Sequence, residues 1–178
     1  PIVVAPIATI ADNWWKEVGL WAILTSNTNS WASAVTEILP VAADDILMVQ
    51  ESNIFKENMR SAAIGTARQH GWSPVLELAH RTAGTMGSGG CGILAKRGTG
   101  ISPAPPQTFP DSVTNRVSLA WVSSVIKGGL HLLSIYLTDG VGLSQANMHI
   151  LEHAAVAVNL IKGPWVMAGD WNMSPGLL

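Results

Sequence analysis

Along this 178-residue chain, short apolar runs that stop at polar residues alternate with longer stretches of helical periodicity. Residues 21–25 run into Ser26-Asn27-Thr28-Asn29, residues 45–50 into Glu51, and the run from Trp165 halts at Asp170-Trp171-Asn172, so each reads as a strand entering a loop. Ser30 is placed to cap a helix through Leu39, with Ala34, Val35, Ile38 and Leu39 on one face and Pro40 ending it. Phe55, Met59, Ala63 and Ala67 predict a helix to about His70, closed by Gly71. Ala146, Ile150, Ala154, Val158 and Ile161 form one stripe of a helix from Leu143 to Ile161, which Gly163-Pro164 terminates. Between these helices, residues 92–96, 116–126 and 130–137 read as strands, the last two joined at Lys127-Gly128-Gly129 as a hairpin, and residues 102–110 as a Pro-rich loop.

The first strand, helix and strand make a crossover unit that should be right-handed. Asn27 and Glu51 then leave the carboxyl ends of neighbouring strands. Crossover units and an antiparallel hairpin in one chain of this length predict one α/β domain with a second sheet packed on the first. We expect residues 1–20 to be an N-terminal extension and residues 21–178 to be the domain.

Composition sharpens this picture. Apolar residues make up 48% of the chain and charged ones only 12%, so either the surface is unusually poor in charge or part of the apolar surface meets something beyond it. A chain that starts at Pro1 and stops at Leu178, just after the Asp170 loop, is read as a fragment of a longer fold. No apolar stretch reaches the roughly 20 residues of a membrane helix, and the start lacks a secretory signature. An intracellular protein of nucleus or cytoplasm, without membrane insertion, is the expectation. The net charge of −2 does not announce nucleic acid, although Lys96, Arg97 and Arg116 could line one groove. Gly87-Ser88-Gly89-Gly90-Cys91-Gly92 precedes a strand rather than a helix and lacks a P-loop lysine, so it is not read as a phosphate cradle. Cys91 has no histidine placed beside it and is read as a buried small residue; Trp14, Trp15, Trp21, Trp121 and Trp165 lie in apolar runs and are read as core.

Two strand-end carboxylates, Glu51 and Asp170, suit a divalent cation and phosphate chemistry. The order of motifs around them resembles the endonuclease/exonuclease/phosphatase superfamily. Ser26-Asn27-Thr28-Asn29 is similar to that family's opening strand-end asparagine, and residues 45–52, Asp-Ile-Leu-Met-Val-Gln-Glu-Ser, to its Gln-Glu metal motif. Residues 89–98 resemble its Gly-rich strand, Ser134-Ile135-Tyr136-Leu137 the strand bearing its tyrosine, and Gly169-Asp170-Trp171-Asn172-Met173-Ser174-Pro175 its Gly-Asp-x-Asn-x-x-Pro signature. Gly-Asp-Trp-Asn and the Tyr-Leu-x-Asp-Gly-x-Gly-Leu turn look most like endonuclease domains of non-LTR retroelements.

The resemblance covers about Trp21 to Leu178, roughly the first two thirds of such a domain, and implies a four-layer α/β/β/α sandwich, incomplete at the C-terminus. It also implies a later aspartate and a closing Asp-His pair that this chain does not contain. None of His70, His80, His131, His149 or His153 stands in that closing context, so the chain is expected to be catalytically incomplete as it stands.

Phosphodiester hydrolysis requires charge compensation at phosphorus, an aligned water and donors matched to the transition state. Glu51 is the candidate ligand for Mg²⁺ or Mn²⁺, against the plainer reading of a strand-end acid paired with a surface base. Asp170 would orient or deprotonate the water or pass a proton to the leaving group; otherwise it caps the following turn. Asn172 and Asn27 would donate to phosphate or metal-bound water, with Asn29 competing for the second assignment. Tyr136 would reach phosphate or simply be a core tyrosine, Arg116 would contact phosphate or be a solvated flank, and Gln50 would support Glu51. The leading expectation is a metal-dependent phosphodiesterase acting on nucleic acid, DNA before RNA. The alternatives are a phosphatase or phosphodiesterase for inositol phosphates or phospholipid head groups, and a non-catalytic binding module.

Overall fold

The computed structural model describes residues 14–81, 87–105 and 108–173. In chain order its elements are α1 (Trp14–Glu17), β1 (Ile23–Asn27), α2 (Trp31–Ser33, widening into a π-helical turn over Ala34–Ile38), β2 (Ile46–Gln50), α3 (Glu57–Gln69), β3 (Trp72–Leu76), β4 (His80–Arg81), β5 (Gly87–Ser88), β6 (Gly92–Lys96), β7 (Ile101–Pro103), α4 (Asp111–Thr114), β8 (Val117–Val122), β9 (Leu130–Tyr136), α5 (Gln145–Leu160) and β10 (Trp165–Asp170). Two sheets of four strands, ordered β1-β2-β6-β3 and β10-β9-β8-β7, carry the fold, and β4 pairs with β5 in a small ribbon.

Strand alternation builds the layers. In β2, Ile46 and Met48 point into the space between the sheets, where they meet Val75 and Ile93 of their own sheet and Ala120, Val122, Leu130 and Leu132 of the other. Leu47 and Val49 point the opposite way, onto Leu39, Ala63, Ala67 and Trp72 beneath α2 and α3. On the second sheet, Leu133 and Ile135 turn outward to Val113 of α4 and to Ile150, Ala154 and Ala157 of α5. The result is helix, sheet, sheet, helix: the four-layer sandwich the sequence predicts. Every residue of β2 is buried, as a strand covered on both faces requires.

The local signals act as anticipated at several ends. Ser30 accepts a hydrogen bond from Ser33 N at 3.1 Å; α5, expected from Leu143, starts instead at Gln145, where Ser144 accepts from Asn147 N at 3.4 Å. The hairpin between β8 and β9 turns through Gly128 and Gly129, both at positive φ; a Cβ on Gly129 would strike the Trp121 ring.

Other expectations are corrected. The first strand runs on through Ser26 and Asn27 rather than ending at Thr25. β3 was not foreseen, because Pro74 argues against a strand; it survives at the edge of its sheet, where a missing N–H costs no ladder bond. β7 and α4 likewise emerge from the segment read as loop or left unread, and the strand read over residues 116–126 is shorter, Val117–Val122. On α5 the first buried position is Asn147, not Ala146. Asn147 is fully covered because it answers three backbone groups, accepting from Thr138 N and donating to Thr138 O and Gly142 O. Trp21, Trp121 and Trp165 are 37%, 36% and 46% exposed, whereas the core tryptophan is Trp72, 1% exposed. Residues 1–13 of the expected extension, the side chain of Trp14, and Ser174 and Pro175 of the last motif lie outside the described residues. Among the described residues no helix is long and apolar enough to cross a membrane.

Candidate active site

Strand direction gathers the chemistry at one edge. β1 and β2 run parallel with Asn27 beside Gln50, and β9 and β10 run parallel with Tyr136 beside Asp170. β6 and β8 run antiparallel to their neighbours, so their amino ends, preceded by Cys91 and Arg116, come to the same edge.

Alternation then decides which side chains enter the cleft between the sheets. Continuing Ile46 and Met48, Gln50 falls on the inner face; continuing Leu132, so do Ser134 and Tyr136; continuing Val166 and Ala168, so does Asp170. By the same rule Glu51, next after Gln50, would point toward the helices. It does not, because its backbone turns left-handed at φ 56°, a conformation that costs a non-glycine residue about 1–2 kcal/mol. The turn brings Glu51 beside Tyr136, close enough for its negative charge to act on the phenol. Asn172 is also left-handed, at φ 46°, as the chain leaves β10.

Asn27 and Asp170 close the other half of the cluster. Asn27 Nδ2 donates to Asp170 Oδ2 at 2.6 Å, a bond between residues 143 apart in sequence. Asp170 Oδ1 accepts from Asn172 N at 3.0 Å, and Asn172 Nδ2 donates to Leu137 O at 2.7 Å. Asn172 therefore spends one amide N–H on the backbone and keeps the other free, along with its carbonyl. Asn27, not Asn29, faces Asp170; Asn29 N donates to Asn27 Oδ1 at 3.0 Å and so fixes that amide.

Tyr136 is 7% exposed. Burial first, and then the negative Glu51 beside it, pushes the phenol up to about 12, with Arg116 pulling the other way. The hydroxyl is a fixed proton donor at neutral pH. The Arg116 guanidinium lies over the Tyr136 ring, 4.7 Å from its centre, and Arg116 Nη2 donates to Ser88 Oγ at 3.3 Å. Among the described residues Arg116 Nη1 is buried with no hydrogen-bond partner, a charged donor left available at the cluster.

A polar bridge lies beneath. Gln50 Nε2 donates to Ser134 Oγ at 2.8 Å, and Ser134 Oγ donates to Val49 O at 3.1 Å, so the two sheets are joined directly below Glu51. Gln50 thus braces the strand carrying Glu51 rather than touching its carboxylate. Ser134, completely buried, is the residue the sequence reading missed. Its signal was a lone polar position on the inner face of an apolar strand. The glycine-rich segment is a brace too: Gly90 N donates to Asn115 O at 2.8 Å and Gly90 O accepts from Ser52 N at 3.0 Å, tying the Glu51 turn to the Arg116 loop. A side chain on Gly90, at φ +85°, would collide with Ser52 Oγ.

Two of the candidate groove cations belong elsewhere. Lys96 lies at the opposite end of the sheet, where Ala95 pairs with Ile46, and Lys96 Nζ donates to Ala42 O at 2.8 Å while sitting 3.7 Å from the centre of the Trp72 ring. Arg97 follows it there. Burial pushes the Cys91 thiol well up, which leaves it an inert core residue.

A sequence profile of the Endonuclease/Exonuclease/phosphatase family matches residues 24–177. No curated protein sequence matches. Among solved structures, an AP endonuclease from Archaeoglobus fulgidus superposes with a TM-score of 0.60 at 20% identity over 86% of this chain and 58% of its own. A 3'-5' exonuclease from Neisseria meningitidis gives 0.57 at 24% identity, also over 86% and 58%, and ANGEL2, a 2',3'-cyclic phosphatase, gives 0.59 at 14% over 88% and 54%. The chain thus spans less than two thirds of the length of these neighbours, and likenesses at this identity speak for the fold alone. With the profile covering most of the chain and the sandwich matching in structure, this chain belongs to the endonuclease/exonuclease/phosphatase family.

Proposed function

We propose that this chain carries the metal-binding and water-positioning half of a divalent-metal-dependent phosphodiesterase that cleaves nucleic acid, with DNA the first substrate to test. The observation that carries the reading is the hydrogen bond from Asn27 to Asp170, with Glu51 set beside Tyr136 at the same edge, four side chains at or just past the ends of four strands. The donor chemistry fits a hard cation: Glu51 and Asp170 offer carboxylate oxygen, and Mg²⁺ is commonly held by one or two carboxylates with water and phosphate. When bound, Mg²⁺ or Mn²⁺ supplies positive charge that offsets the phosphoryl oxygens and acidifies water.

The chain's own residues do the rest. Glu51 would hold the cation, with Tyr136 beside its carboxylate. Asp170, oriented by Asn27 and by the Asn172 backbone N–H, accepts a proton from the attacking water or holds that water in line. The spare N–H of Asn27 and Asn172 and the unpaired Arg116 Nη1 donate to phosphate oxygens.

The test is hydrolysis of labelled DNA and RNA duplexes by the full reading frame that carries this chain. We expect cleavage that EDTA abolishes and Mg²⁺ restores, and that falls at least about a hundredfold on Glu51→Gln or Asp170→Asn, since each removes an interaction needed in the transition state. Cleavage that persists in EDTA refutes the proposal. Hydrolysis confined to inositol phosphates or phospholipid head groups transfers the same residues to a different substrate and refutes the nucleic-acid assignment.

A further inference from the structure

A second cluster of titratable groups lies away from the sheet edge. His149 and His153 sit one turn apart on α5, with ring centres 4.6 Å apart and planes at 88°. Both are half-buried, and α5 lies over the outer face of the second sheet rather than over the cleft. His149 Nε2 lies 3.1 Å from Ser112 Oγ, at α4. The segment reads His149-Ile150-Leu151-Glu152-His153, the H-x-x-E-H order found in helical zinc sites.

We propose that His149 and His153 chelate a borderline divalent cation, Zn²⁺ or Ni²⁺, at a site separate from the Glu51 edge. The spacing is the first argument: residues four apart on a helix carry their Cβ atoms about 5–6 Å apart, within reach of one ion. Two nitrogens each about 2.0–2.1 Å from a tetrahedral ion lie roughly 3.3 Å from one another, a separation that a ring rotation reaches from the present edge-to-face contact. The second argument is ligand chemistry. Imidazole favours Zn²⁺, Ni²⁺ and Cu²⁺, whereas Glu51 and Asp170 offer oxygen to a hard ion, so the two places select different metals. The third is orientation. Ser112 Oγ, 3.1 Å from His149 Nε2, fixes the plane of that ring; in the tautomer in which Nε2–H donates to the hydroxyl the Nδ1 lone pair is free for a metal, the arrangement by which an outer partner directs a ligating ring. Among the described residues no third His, Cys, Asp or Glu joins the pair. Water completes the coordination, and no hydrolytic role is assigned to Glu152.

Isothermal titration of the chain with ZnCl₂ and NiCl₂ at pH 7.5, in the presence of millimolar Mg²⁺, tests this. We expect one saturable site, at least a tenfold loss of affinity in His149→Ala and in His153→Ala, and no change in Glu51→Gln. Circular dichroism of each variant verifies that the fold is retained. The proposal is overturned by an absence of saturation up to about 1 mM metal, by undiminished affinity in either histidine variant, or by loss of zinc binding in Glu51→Gln. None of these outcomes bears on the phosphodiesterase reading, whose test uses different residues and a different ion.

Discussion

Replacing Ser134 by Ala probes the bridge beneath the cluster. The substitution removes one hydroxyl from a site with no exposure, strips the 2.8 Å acceptor from Gln50 Nε2 and deletes the 3.1 Å bond to Val49 O. Thr25 Oγ1, at 3.3 Å, still serves one Gln50 N–H, so a single amide hydrogen is left unsatisfied. An unsatisfied buried polar group costs about 1–3 kcal/mol, and the methyl replacing the hydroxyl opens almost no cavity, so we expect a loss of about 2 kcal/mol. For a chain of this size that is a fall in melting temperature of roughly 4–8 °C. Urea denaturation at pH 7, on Ser134→Ala, Gln50→Leu and the double variant, measures it. Removing both partners leaves no orphan donor, so the double variant should be more stable than the sum of the singles by at least about 0.5 kcal/mol. A single-variant cost below about 0.5 kcal/mol, with strictly additive effects, would refute the bridge.

Tyr136 is the single tyrosine of the chain, so phenolate absorbance reports it without ambiguity. We expect a midpoint near 12 in the folded protein, against about 10 when unfolded, and a lower midpoint in Glu51→Gln; a wild-type midpoint at 10 contradicts the Glu51 contact. Because the folded value is the higher one, stability holds below about pH 10 and declines as the pH rises from there toward 12, as the unfolded chain ionises first. Burial pushes the Glu77 carboxyl up despite Arg60 nearby, so its folded value exceeds its unfolded one and its charge opposes folding at neutral pH. Glu77→Gln should therefore raise the melting temperature at pH 7, with the gain shrinking toward pH 4, and a loss at pH 7 would contradict this. Lys96→Met removes the contact with Trp72 and leaves Ala42 O without its donor; we expect a loss of about 1–2 kcal/mol by urea denaturation with the Glu51 cluster unaffected, whereas a neutral effect would make Lys96 a free surface cation.

The layers were legible because the unbroken apolar run of β2, which a strand covered on both faces requires, and the stripe on α5 are strong signals that tertiary packing had no reason to override. Pro74 hid β3, since a rule about central strands does not apply at an edge. The tryptophans misled for a related reason: apolar neighbours in sequence do not determine burial, and Trp121 and Trp165 lie on surfaces that the described residues leave partly open. Asn147 broke the stripe because hydrogen-bonding three backbone groups outweighs the cost of burying an amide. At the edge, the identity of Glu51, Asp170, Asn27 and Tyr136 was readable from strand ends. The turn that sets Glu51 among them was not, because its left-handed backbone after Gln50 is encoded by no pattern of apolar positions. Lys96 shows the converse: without knowing that β6 runs antiparallel to β2, nothing in its sequence neighbourhood told which end of the sheet it would occupy.

The central claim is that the Glu51 carboxylate, swung into the cleft, holds a hard divalent cation, and manganese binding followed by electron paramagnetic resonance tests it most directly. The account predicts a saturable Mn²⁺ site on the chain that Mg²⁺ displaces and that weakens at least about tenfold in Glu51→Gln, because the carboxylate is the anionic ligand such an ion requires. Mn²⁺ affinity unchanged by that substitution would contradict it.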